Sequence, residues 1–457
     1  MTSAKSEGSR SYLLMLSLTA ALGGFLFGYD TAVVSGAIGF LQKHFQLSAD
    51  LTGWAASSLL VGCMVGAVLG GPLGDYLGRK PSLVLCGVLF AISSLASAMP
   101  HTLSQFAWAR FAGGISIGAA SMLSPLYIAE ISPERVRGTL VALYQLAIVV
   151  GILVVFFVNL EIQRLGDEAW NVSTGWRWMF ASLTIPSLLF VIMMMLVPES
   201  PRWLMKVGRT AEARAVLARV GGSENADREV RQIEETLRQE EGRWSELLTS
   251  GYSRALLIGI MLAVFGQFSG INAIMYYAPE IFKSAGAGTD SAFMQTVVVG
   301  LVNLAFTFVA IGFVDRAGRR PLLIIGTLVQ VISLTATGYL LHVKADGLVL
   351  LISILAFVGA FAVAMGPIPW IVNSEIFPTK LRGRAMSVAI VMLWLADFIV
   401  TQTFPMLRES PAIGPAKTFW TYAAFSLASM VFVIFMVPET KGRTLEEIEA
   451  SWRKHDK

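Results

Sequence analysis

Long apolar runs constrain this chain more than any other feature of its sequence. A helix that crosses a bilayer needs about 20 mostly apolar residues, and these runs are much longer than a barrel strand and do not alternate. We therefore expect an all-α membrane protein with twelve spanning helices, called span 1 to span 12. They are predicted at residues 13–37, 52–74, 81–100, 104–128, 138–160, 176–197, 254–278, 293–313, 321–341, 347–373, 384–404 and 417–437.

The composition supports this class and leaves others without support. Only 14% of the residues are charged and 55% are hydrophobic, whereas soluble domains are about 25% charged. Basic loops facing anionic lipid account for the net charge of +4, so no nucleic-acid partner is implied. Cys63 and Cys86 lie in apolar segments and indicate small core residues rather than a metal or disulfide site. We expect no metal, no cofactor and no enzymatic activity, because no nucleotide-binding loop or nucleophile–base pair is present.

The distribution of basic residues predicts the orientation. With the N-terminus inside, Arg110 lies within a span and most other Lys and Arg residues are cytoplasmic. Those that fall outside are Lys43, Arg164, Arg177, Lys283, Lys344, Arg408 and Lys417. The positive-inside rule then places both termini in the cytoplasm of a multi-pass protein of the cell (inner) membrane. The first run is too long for a signal peptide, and we expect it to be retained.

Three loop motifs occur twice. GDYLGRKP (74–81) returns as VDRAGRRP (314–321), EISPERVRG (130–138) as EIFPTKLRG (375–383), and VPESPRW (197–203) as VPETKGR (437–443). Nearly constant offsets indicate two parallel six-helix halves, as in transporters that rock around a central site. We expect an N-terminal bundle (1–197), a cytoplasmic linker with short amphipathic helices (198–253), a C-terminal bundle (254–440) and a cytoplasmic tail (441–457).

These motifs, with the stretches FGYD and GIN, resemble the sugar porter branch of the major facilitator superfamily over essentially the whole chain. Within that branch the sequence is most similar to bacterial sugar–proton symporters. The resemblance implies proton-coupled uptake of a monosaccharide, a hexose or a pentose, by alternating access, with sugar, protons and the lipid bilayer as partners and a functional monomer. A facilitative sugar uniporter and a transporter of a polyol such as inositol are the alternatives. A sugar sensor is disfavoured by the short tail.

Acids and arginines stand together at the cytoplasmic helix ends in each motif. Bonds between helices on one face can hold that face shut, and the resemblance implies that they latch the cytoplasmic side in the outward-open state. The residues of this predicted cytoplasmic gate are Asp75, Arg79, Glu130, Arg137, Glu199, Arg202, Asp315, Arg319, Arg320, Glu375, Arg382 and Glu439. Gly78 and Gly318 suit the tight turns between the helices.

Polar and aromatic side chains in mid-span are the candidates for a sugar site, because such sites lie near mid-membrane between the halves. Asn272 and Tyr276 share one helix face, and Gly266 and Gly270 are expected to break span 7. Pro367 and Pro369 are expected to interrupt span 10. The resemblance places Phe27, Gln145, Gln267, Asn272, Tyr276, Trp370 and Trp394 around the sugar.

The sequence departs from the family pattern at three positions. Gly266 and Leu393 stand where glutamines are usual, which leaves the preferred sugar open. Asp397 stands where the family usually has Asn, three residues after Trp394. Two roles for Asp397 stay open: a protonated carboxyl that donates to sugar, or a second protonation site.

Asp30 is an acid within the first apolar run, and its candidate partner is Arg110 in span 4. A carboxylate beside an arginine stays ionised, whereas one that loses it to apolar surroundings takes up a proton. In the sugar porter family, the acid in FGYD is typical of proton-coupled members. We therefore predict that Asp30 and Arg110 couple transport to protons. The four histidines lie in loops, span ends or the tail and are not candidates.

Overall fold

The twelve predicted spans are present in the structure. The computed structural model describes residues 9–133, 135–238, 246–247, 252–345, 347–377 and 381–441, apart from the side chains of Arg238 and Asp315. Within these residues, twelve helical segments are long and apolar enough to cross a membrane. Most extend a few residues beyond the predicted bounds, because a helix continues into the interface after its apolar stretch ends. The predicted tail after Lys441 lies outside the described residues.

Most helices of the N-terminal half are continuous. Spans 1 to 5 are Arg10–Phe45, Ala49–Leu77, Arg79–Ala98, Leu103–Ile131 and Arg137–Arg164. Span 6 is built from Glu168–Trp170, the π-turn Asn171–Gly175, Trp176–Ala181 and Thr184–Leu196. The first helix is capped by Ser9, whose hydroxyl oxygen accepts from the backbone N–H of Tyr12 at 3.2 Å.

The C-terminal half contains two interrupted helices. Span 7 is Tyr252–Phe268 followed by Ile271–Ser284, and span 10 is Gly347–Val363 followed by Ile368–Ile376. Spans 8, 9, 11 and 12 are Thr289–Ala317, Arg319–His342, Arg382–Glu409 and Gly414–Met436. The linker contains the helices Pro201–Lys206, Thr210–Gly221 and Ser223–Arg238, so the two amphipathic linker helices predicted from sequence are confirmed.

The two halves repeat one packing pattern. In the first half span 1 packs on span 5, span 2 on span 4 and span 3 on span 6; in the second half the equivalent pairs are spans 7 and 11, 8 and 10, and 9 and 12. Span 2 contacts span 11 across the interface, and span 5 contacts span 8. The repeat maps the first of these contacts onto the second, as expected for parallel halves related by an axis along the membrane normal.

The interruptions correct one detail of the sequence prediction. Gly270 has a φ of +84°, which favours glycine, and it separates the two parts of span 7. Gly266 lies inside the regular helix Tyr252–Phe268, so the predicted break there is wrong, because a helix tolerates an isolated glycine. In span 10 a turn at residues 364–367 precedes Ile368, as the two prolines indicated.

The linker docks on the N-terminal half. The backbone N–H of Ser9 donates to the carbonyl of Arg219 at 3.1 Å, and the Arg219 guanidinium lies 3.8 Å from the centre of the Tyr12 ring. Lys206 forms a 3.1 Å ion pair with Asp75 at the end of span 2. These contacts hold the linker against spans 1 and 2.

Glycines allow close approach of helices in the N-terminal half. A Cβ atom at Gly114 in span 4 would collide with the backbone carbonyl of Leu59 in span 2, and one at Gly28 in span 1 would collide with the carbonyl of Ile148 in span 5. Small residues at such crossings are how membrane helices pack closely, because lipid provides no hydrophobic drive between them.

We expect Gly114→Ala to destabilise the protein by about 1–3 kcal/mol, since the added methyl group forces spans 2 and 4 apart. The measurement is the thermal unfolding midpoint in detergent. Gly312→Ala is the matched control, because a Cβ atom there meets nothing within 4 Å. Its midpoint should equal or exceed that of the wild type, since Ala favours a helix more than Gly does. Equal midpoints for Gly114→Ala and the wild type would contradict the packing argument.

Candidate functional site

Asp30 and Arg110 form an ion pair in the interior of the N-terminal half. Each side chain is only 1% exposed. Arg110 Nη1 hydrogen-bonds Asp30 Oδ1, and Arg110 Nη2 donates to the backbone carbonyl of Asp30 at 3.0 Å. The guanidinium also lies 5.1 Å from the centre of the Phe180 ring. The structure thus brings together the two residues that the sequence paired, and removing either would leave a buried charge without its partner.

Gly113 gives the ion pair its space. A Cβ atom at this position would collide with Ser93 Oγ and would lie 3.3 Å from Asp30 Oδ2. Ser93 cannot withdraw easily, because its hydroxyl donates to the carbonyl of Ala109 at 2.7 Å. Gly113 was not among the residues predicted from the sequence, although the pair of glycines that closes WARFAGG was a signal for close approach.

A cluster of polar side chains surrounds Asp397 in the C-terminal half. Tyr276 donates its hydroxyl to Asp397 Oδ2 at 3.3 Å, and Thr401 donates to Asp397 Oδ1 at 3.1 Å. Asn272 Nδ2 donates to Gln267 Oε1 at 2.8 Å, across the break in span 7. The structure therefore pairs four candidate residues, Tyr276 with Asp397 and Asn272 with Gln267, and adds Thr401, which was not predicted from the sequence although it lies one turn after Asp397.

An aromatic contact joins the two halves beside this cluster. The Phe27 and Trp394 rings lie 5.4 Å apart between centroids, at 49°. Phe27 stands one turn before Asp30, and Trp394 one turn before Asp397, so the contact connects the helices that carry the two buried acids. The Trp394 indole N–H is buried without a hydrogen-bond partner among the described residues.

Two predicted sugar-site residues do not join the cluster. Gln145 in span 5 is half-buried, and Trp370 in span 10 is 39% exposed. No side-chain hydrogen bond or ring contact links either of them to another residue of the described chain. Their assignment to a sugar site stays a prediction.

Cys63 in span 2 is fully buried and unpaired with the other cysteine, as expected of a small core residue. The Phe27–Trp394 contact, one turn before each buried acid, brings the helix of the ion pair against the helix of the polar cluster.

The loop motifs form bonded groups on one side of the bundle, which we call the motif face; the other side is the opposite face. In the first half Arg79 donates to Asp75 at 2.8 Å and to Glu130 at 3.0 Å. Arg137 donates to the backbone carbonyls of Ala129 and Ser132. All these bonds stay within the N-terminal half.

Two further residues of this half complete the predicted gate set. Glu199 accepts from the backbone N–H groups of Arg79, Lys80 and Ser200. Arg202 is exposed at the start of the linker. Gly78, at φ +105°, turns the chain tightly beneath Glu199, as the sequence indicated.

The second half repeats this arrangement. Arg319 donates to Glu375 at 2.9 Å, and Glu439 accepts from the backbone N–H groups of Arg319 and Arg320 at 3.1 Å each. Arg382 buries two guanidinium nitrogens without a hydrogen-bond partner among the described residues. The side chain of Asp315 lies outside the part of the chain that the structure describes. A latch between the halves on this face stays a prediction.

The equivalent acids Glu199 and Glu439 differ in the direction in which the protein shifts the carboxyl pKa. Burial raises the pKa of the Glu199 carboxyl above its ordinary value, despite its backbone donors. Burial acts in the same direction on Glu439, but the N–H groups of Lys441, Arg319 and Arg320 outweigh it and lower the pKa. As the pH falls, Glu199 takes up a proton before Glu439.

The halves are bonded to each other toward the opposite face. Arg164 at the end of span 5 donates to both carboxylate oxygens of Asp290 in span 8, at 2.6 and 3.2 Å. Gln402 in span 11 accepts from the Ser57 hydroxyl at 2.7 Å and donates to the Asp50 carbonyl at 2.9 Å, both in span 2. Among the described residues, every hydrogen bond between the halves lies toward this face.

The fold and these sites define a multi-pass membrane transporter with two six-helix halves around a polar interior. The sequence profile of sugar (and other) transporters matches residues 16–452. The chain is 44% identical over 448 residues to the arabinose-proton symporter of Bacillus subtilis, which covers 98% of this chain and 96% of that protein. This chain belongs to the sugar transporter family.

Another relative and a solved structure agree with this assignment. The D-xylose-proton symporter of Escherichia coli is 42% identical over 477 residues, covering 98% of this chain and 97% of that protein. The fold matches the partially occluded inward open conformation of the xylose transporter XylE from E. coli, with a TM-score of 0.86 and 40% identity. That match covers 95% of this chain and 100% of the other.

We expect Asp290→Asn to increase the fraction of molecules that are open on the opposite face by up to about fivefold. An exposed ion pair is worth roughly 0.2–1 kcal/mol, and here it forms only when the halves meet. The measurement is the distance distribution between spin labels at Leu165 and Val343, both exposed on this face.

The matched control is Asp227→Asn, which removes an exposed pair of the same geometry inside the linker. Arg214 donates to Asp227 at 2.6 and 3.2 Å, but both residues move with one half. The control should leave the distances unchanged. An Asp290→Asn distribution identical to that of the wild type would show that the pair does not hold this face closed.

Proposed function

We propose that this protein is a proton-coupled symporter that imports a monosaccharide by alternating access. The observation that carries the proposal is the buried Asp30–Arg110 pair in one half, next to a cluster of polar and aromatic side chains in the other. Two ligands that move together need two neighbouring sites, and these two groups are the proposed pair. The relatives that match along nearly their whole length carry the names of sugar-proton symporters.

The ion pair is the proposed proton site. Arg110 balances the charge of Asp30 in this conformation, so the carboxylate needs no proton. When span 4 moves relative to span 1, Asp30 loses this partner in an apolar environment, where a carboxyl binds a proton. Ionisable residues that pair with each other within the membrane are typical of proton relays.

The polar cluster, with the Phe27–Trp394 contact, is the proposed sugar site. In this proposal the amide groups of Gln267 and Asn272 hydrogen-bond sugar hydroxyls, and the rings of Phe27 and Trp394 pack against the C–H faces of the sugar. Gln145, Tyr276 and Trp370 complete the proposed set. Discontinuous helices such as span 7 are where transporters bind substrate, because the break frees backbone groups for the ligand.

The conformation described here is proposed to open toward the cytoplasm. The bonds between the halves lie on the opposite face, whereas the motif groups are bonded within each half. The positive-inside rule makes the motif face cytoplasmic, with both termini on that side. The similar XylE structure is inward open by its description. In the outward-open state the motif residues are proposed to engage across the halves and close the cytoplasmic face.

The proposed moving bodies are the N-terminal bundle (1–197) and the C-terminal bundle (254–440). The helical part of the linker travels with the first of them, because Arg219 and Lys206 contact spans 1 and 2. One chain contains both proposed sites, so a monomer in the inner membrane suffices for transport.

We expect Asp30→Asn to keep sugar exchange but to lose uphill accumulation. The amide cannot carry a proton, so the proton gradient no longer drives the sugar, whereas the sugar site remains. The measurement is uptake of labelled sugar into proteoliposomes with and without a pH gradient, together with counterflow exchange in the absence of a gradient.

Asp227→Asn, an acid-to-amide change on the linker surface, is the control and should accumulate sugar as the wild type does. Accumulation by Asp30→Asn at the wild-type level would remove Asp30 from the proton path. Wild-type exchange that ignores the pH gradient would identify a facilitative uniporter instead.

A further inference from the structure

We propose that Asp397 is a second proton-binding site, which takes up a proton when the second segment of span 7 leaves it and thereby favours opening of the opposite face. This role rests on the proposed function and extends it, since the cycle described above uses the proton of Asp30 alone. Asp397 is buried as Asp30 is, and that cycle gives it no proton.

Both oxygens of the Asp397 carboxyl are held by hydroxyl groups. Tyr276 in the second segment of span 7 donates to Oδ2 at 3.3 Å, and Thr401, one turn further along span 11, donates to Oδ1 at 3.1 Å. The side chain is only 1% exposed, and among the described residues no lysine or arginine forms an ion pair with it. The carboxylate form depends on those two donors, because an ionised group without partners is costly to bury.

Hydroxyl partners suit a carboxyl that gains and loses a proton. A hydroxyl group both donates and accepts, whereas the guanidinium that faces Asp30 only donates. When Asp397 is protonated, Thr401 can accept from the carboxylic acid and turn its own proton to the backbone carbonyl four residues earlier. Thr31 and Thr337 already donate to carbonyls at that spacing, at 2.9 and 2.8 Å. The site therefore accommodates both protonation states without a rearrangement of span 11.

The two donors differ in how firmly they are fixed beside the carboxyl. Thr401 belongs to the same helix as Asp397, but Tyr276 lies on Ile271–Ser284, which the break at Gly270 separates from the first segment of span 7. The carboxylate has both donors only while that segment rests on span 11. When the segment moves away, one donor is lost, and a buried carboxyl that loses a stabilising partner binds a proton.

The same segment of span 7 closes the space between the halves toward the opposite face. Lys283, in its last turn, places Nζ 5.0 Å from the centre of the Phe40 ring in span 1. A Cβ atom at Gly39 in span 1 would collide with the Glu280 carboxylate. These contacts join the two halves, so opening of the opposite face must break them.

In the proposed movement the segment swings about Gly270 and leaves span 1 and Asp397 together. Proton binding to Asp397 and opening of the opposite face then favour each other, because a ligand shifts an equilibrium toward the state that binds it better. The proton enters from the water at that face and returns to it when the segment docks again. It is therefore not carried across the membrane, and the coupling stays with Asp30.

Several other titratable side chains belong to span 11 or to the helices that pack on it. Tyrosine and cysteine lose their protons only above about pH 8, and those within the membrane are Cys63, Tyr276, Tyr277 and Tyr422. The others stand at helix ends: Asp50, Asp75, Tyr76, Tyr252, Arg254, Glu280, Lys283, Glu375, Arg382, Arg384, Arg408, Glu409 and Lys417. Across the interface Asp30 is paired with Arg110, so the test of Asp397 is made without Asp30.

The test is the pH dependence of the opposite face in Asp30→Asn. The measurement is the distance distribution between spin labels at Leu165 and Val343, both exposed on this face, from about pH 7.5 to about pH 5. We expect the ratio of open to closed molecules to rise as the pH falls, by up to about tenfold per pH unit, the limit for one linked proton.

The matched comparison is the double variant Asp30→Asn/Asp397→Asn, which differs only at the proposed site. It should show no such rise. Its open fraction should resemble that of Asp30→Asn at low pH, because an amide, like a protonated carboxyl, has one acceptor oxygen and a donor.

Two tyrosine variants in the Asp30→Asn background keep the acid and separate its donor from the rest of the segment. Tyr276→Phe removes the donor whose loss drives proton binding, so the rise should largely disappear. Tyr277→Phe is its control, because the Tyr277 hydroxyl donates to the backbone carbonyl of Thr401 at 3.1 Å and not to the carboxyl. It should retain the rise, whatever its open fraction at neutral pH.

Three results would overturn the inference. An equal rise in the double variant would place the proton elsewhere, and distances independent of pH in Asp30→Asn would show that no further proton is linked to this face. Retained sugar exchange with loss of uphill accumulation in Asp397→Asn alone would make its proton a transported one. Failure of the wild type to accumulate sugar would overturn the proposed function instead, since the distances are measured without sugar.

Discussion

The requirement that every backbone N–H and C=O group within the bilayer finds a partner in its own segment shapes the rest of this structure. For these long apolar segments it allows only helices. Side chains follow the same rule: the hydroxyl groups of Thr31 and Thr337 donate to backbone carbonyls one turn earlier, at 2.9 and 2.8 Å. Helices that satisfy themselves in this way can slide and tilt against each other without exposing polar groups. Asp30 with Arg110, and Asp397 with Tyr276, are bonded across helices instead.

The repeat makes the two halves alike in packing, but not in chemistry. The contact of span 2 with span 11 is the counterpart of that between spans 5 and 8, and Glu199 and Glu439 occupy matching turns. Among the described residues, the first half buries the Asp30–Arg110 ion pair within its spans, whereas the second has a broken helix beside a carboxyl held by neutral donors. A symmetric scaffold thus supports two different proposed tasks, one for protons and one for sugar, on either side of a shared interface.

Some of the candidate site could be predicted from the sequence, and the rest depended on neighbours in space. The Asp30–Arg110 pairing was predictable because one arginine alone lies within the apolar runs, and a buried charge needs a partner. Gly113 and Thr401 were not, because a glycine or threonine in a span has no distinctive meaning until its neighbour is known. Gly266 was expected to break its helix and does not, and the assignment of the 39% exposed Trp370 to the sugar site stays a prediction.

By itself, the sequence determined the number of spans, the internal repeat, the class of protein and the identity of the buried acids. These follow from hydropathy and spacing, which belong to each segment alone. The tertiary structure decided which face the halves close against, that the motif residues bond within their own half, and that Asp397 accepts from two side chains, Tyr276 and Thr401. Those facts depend on how helices rotate and shift against one another, and a transporter sequence must be compatible with more than one such arrangement.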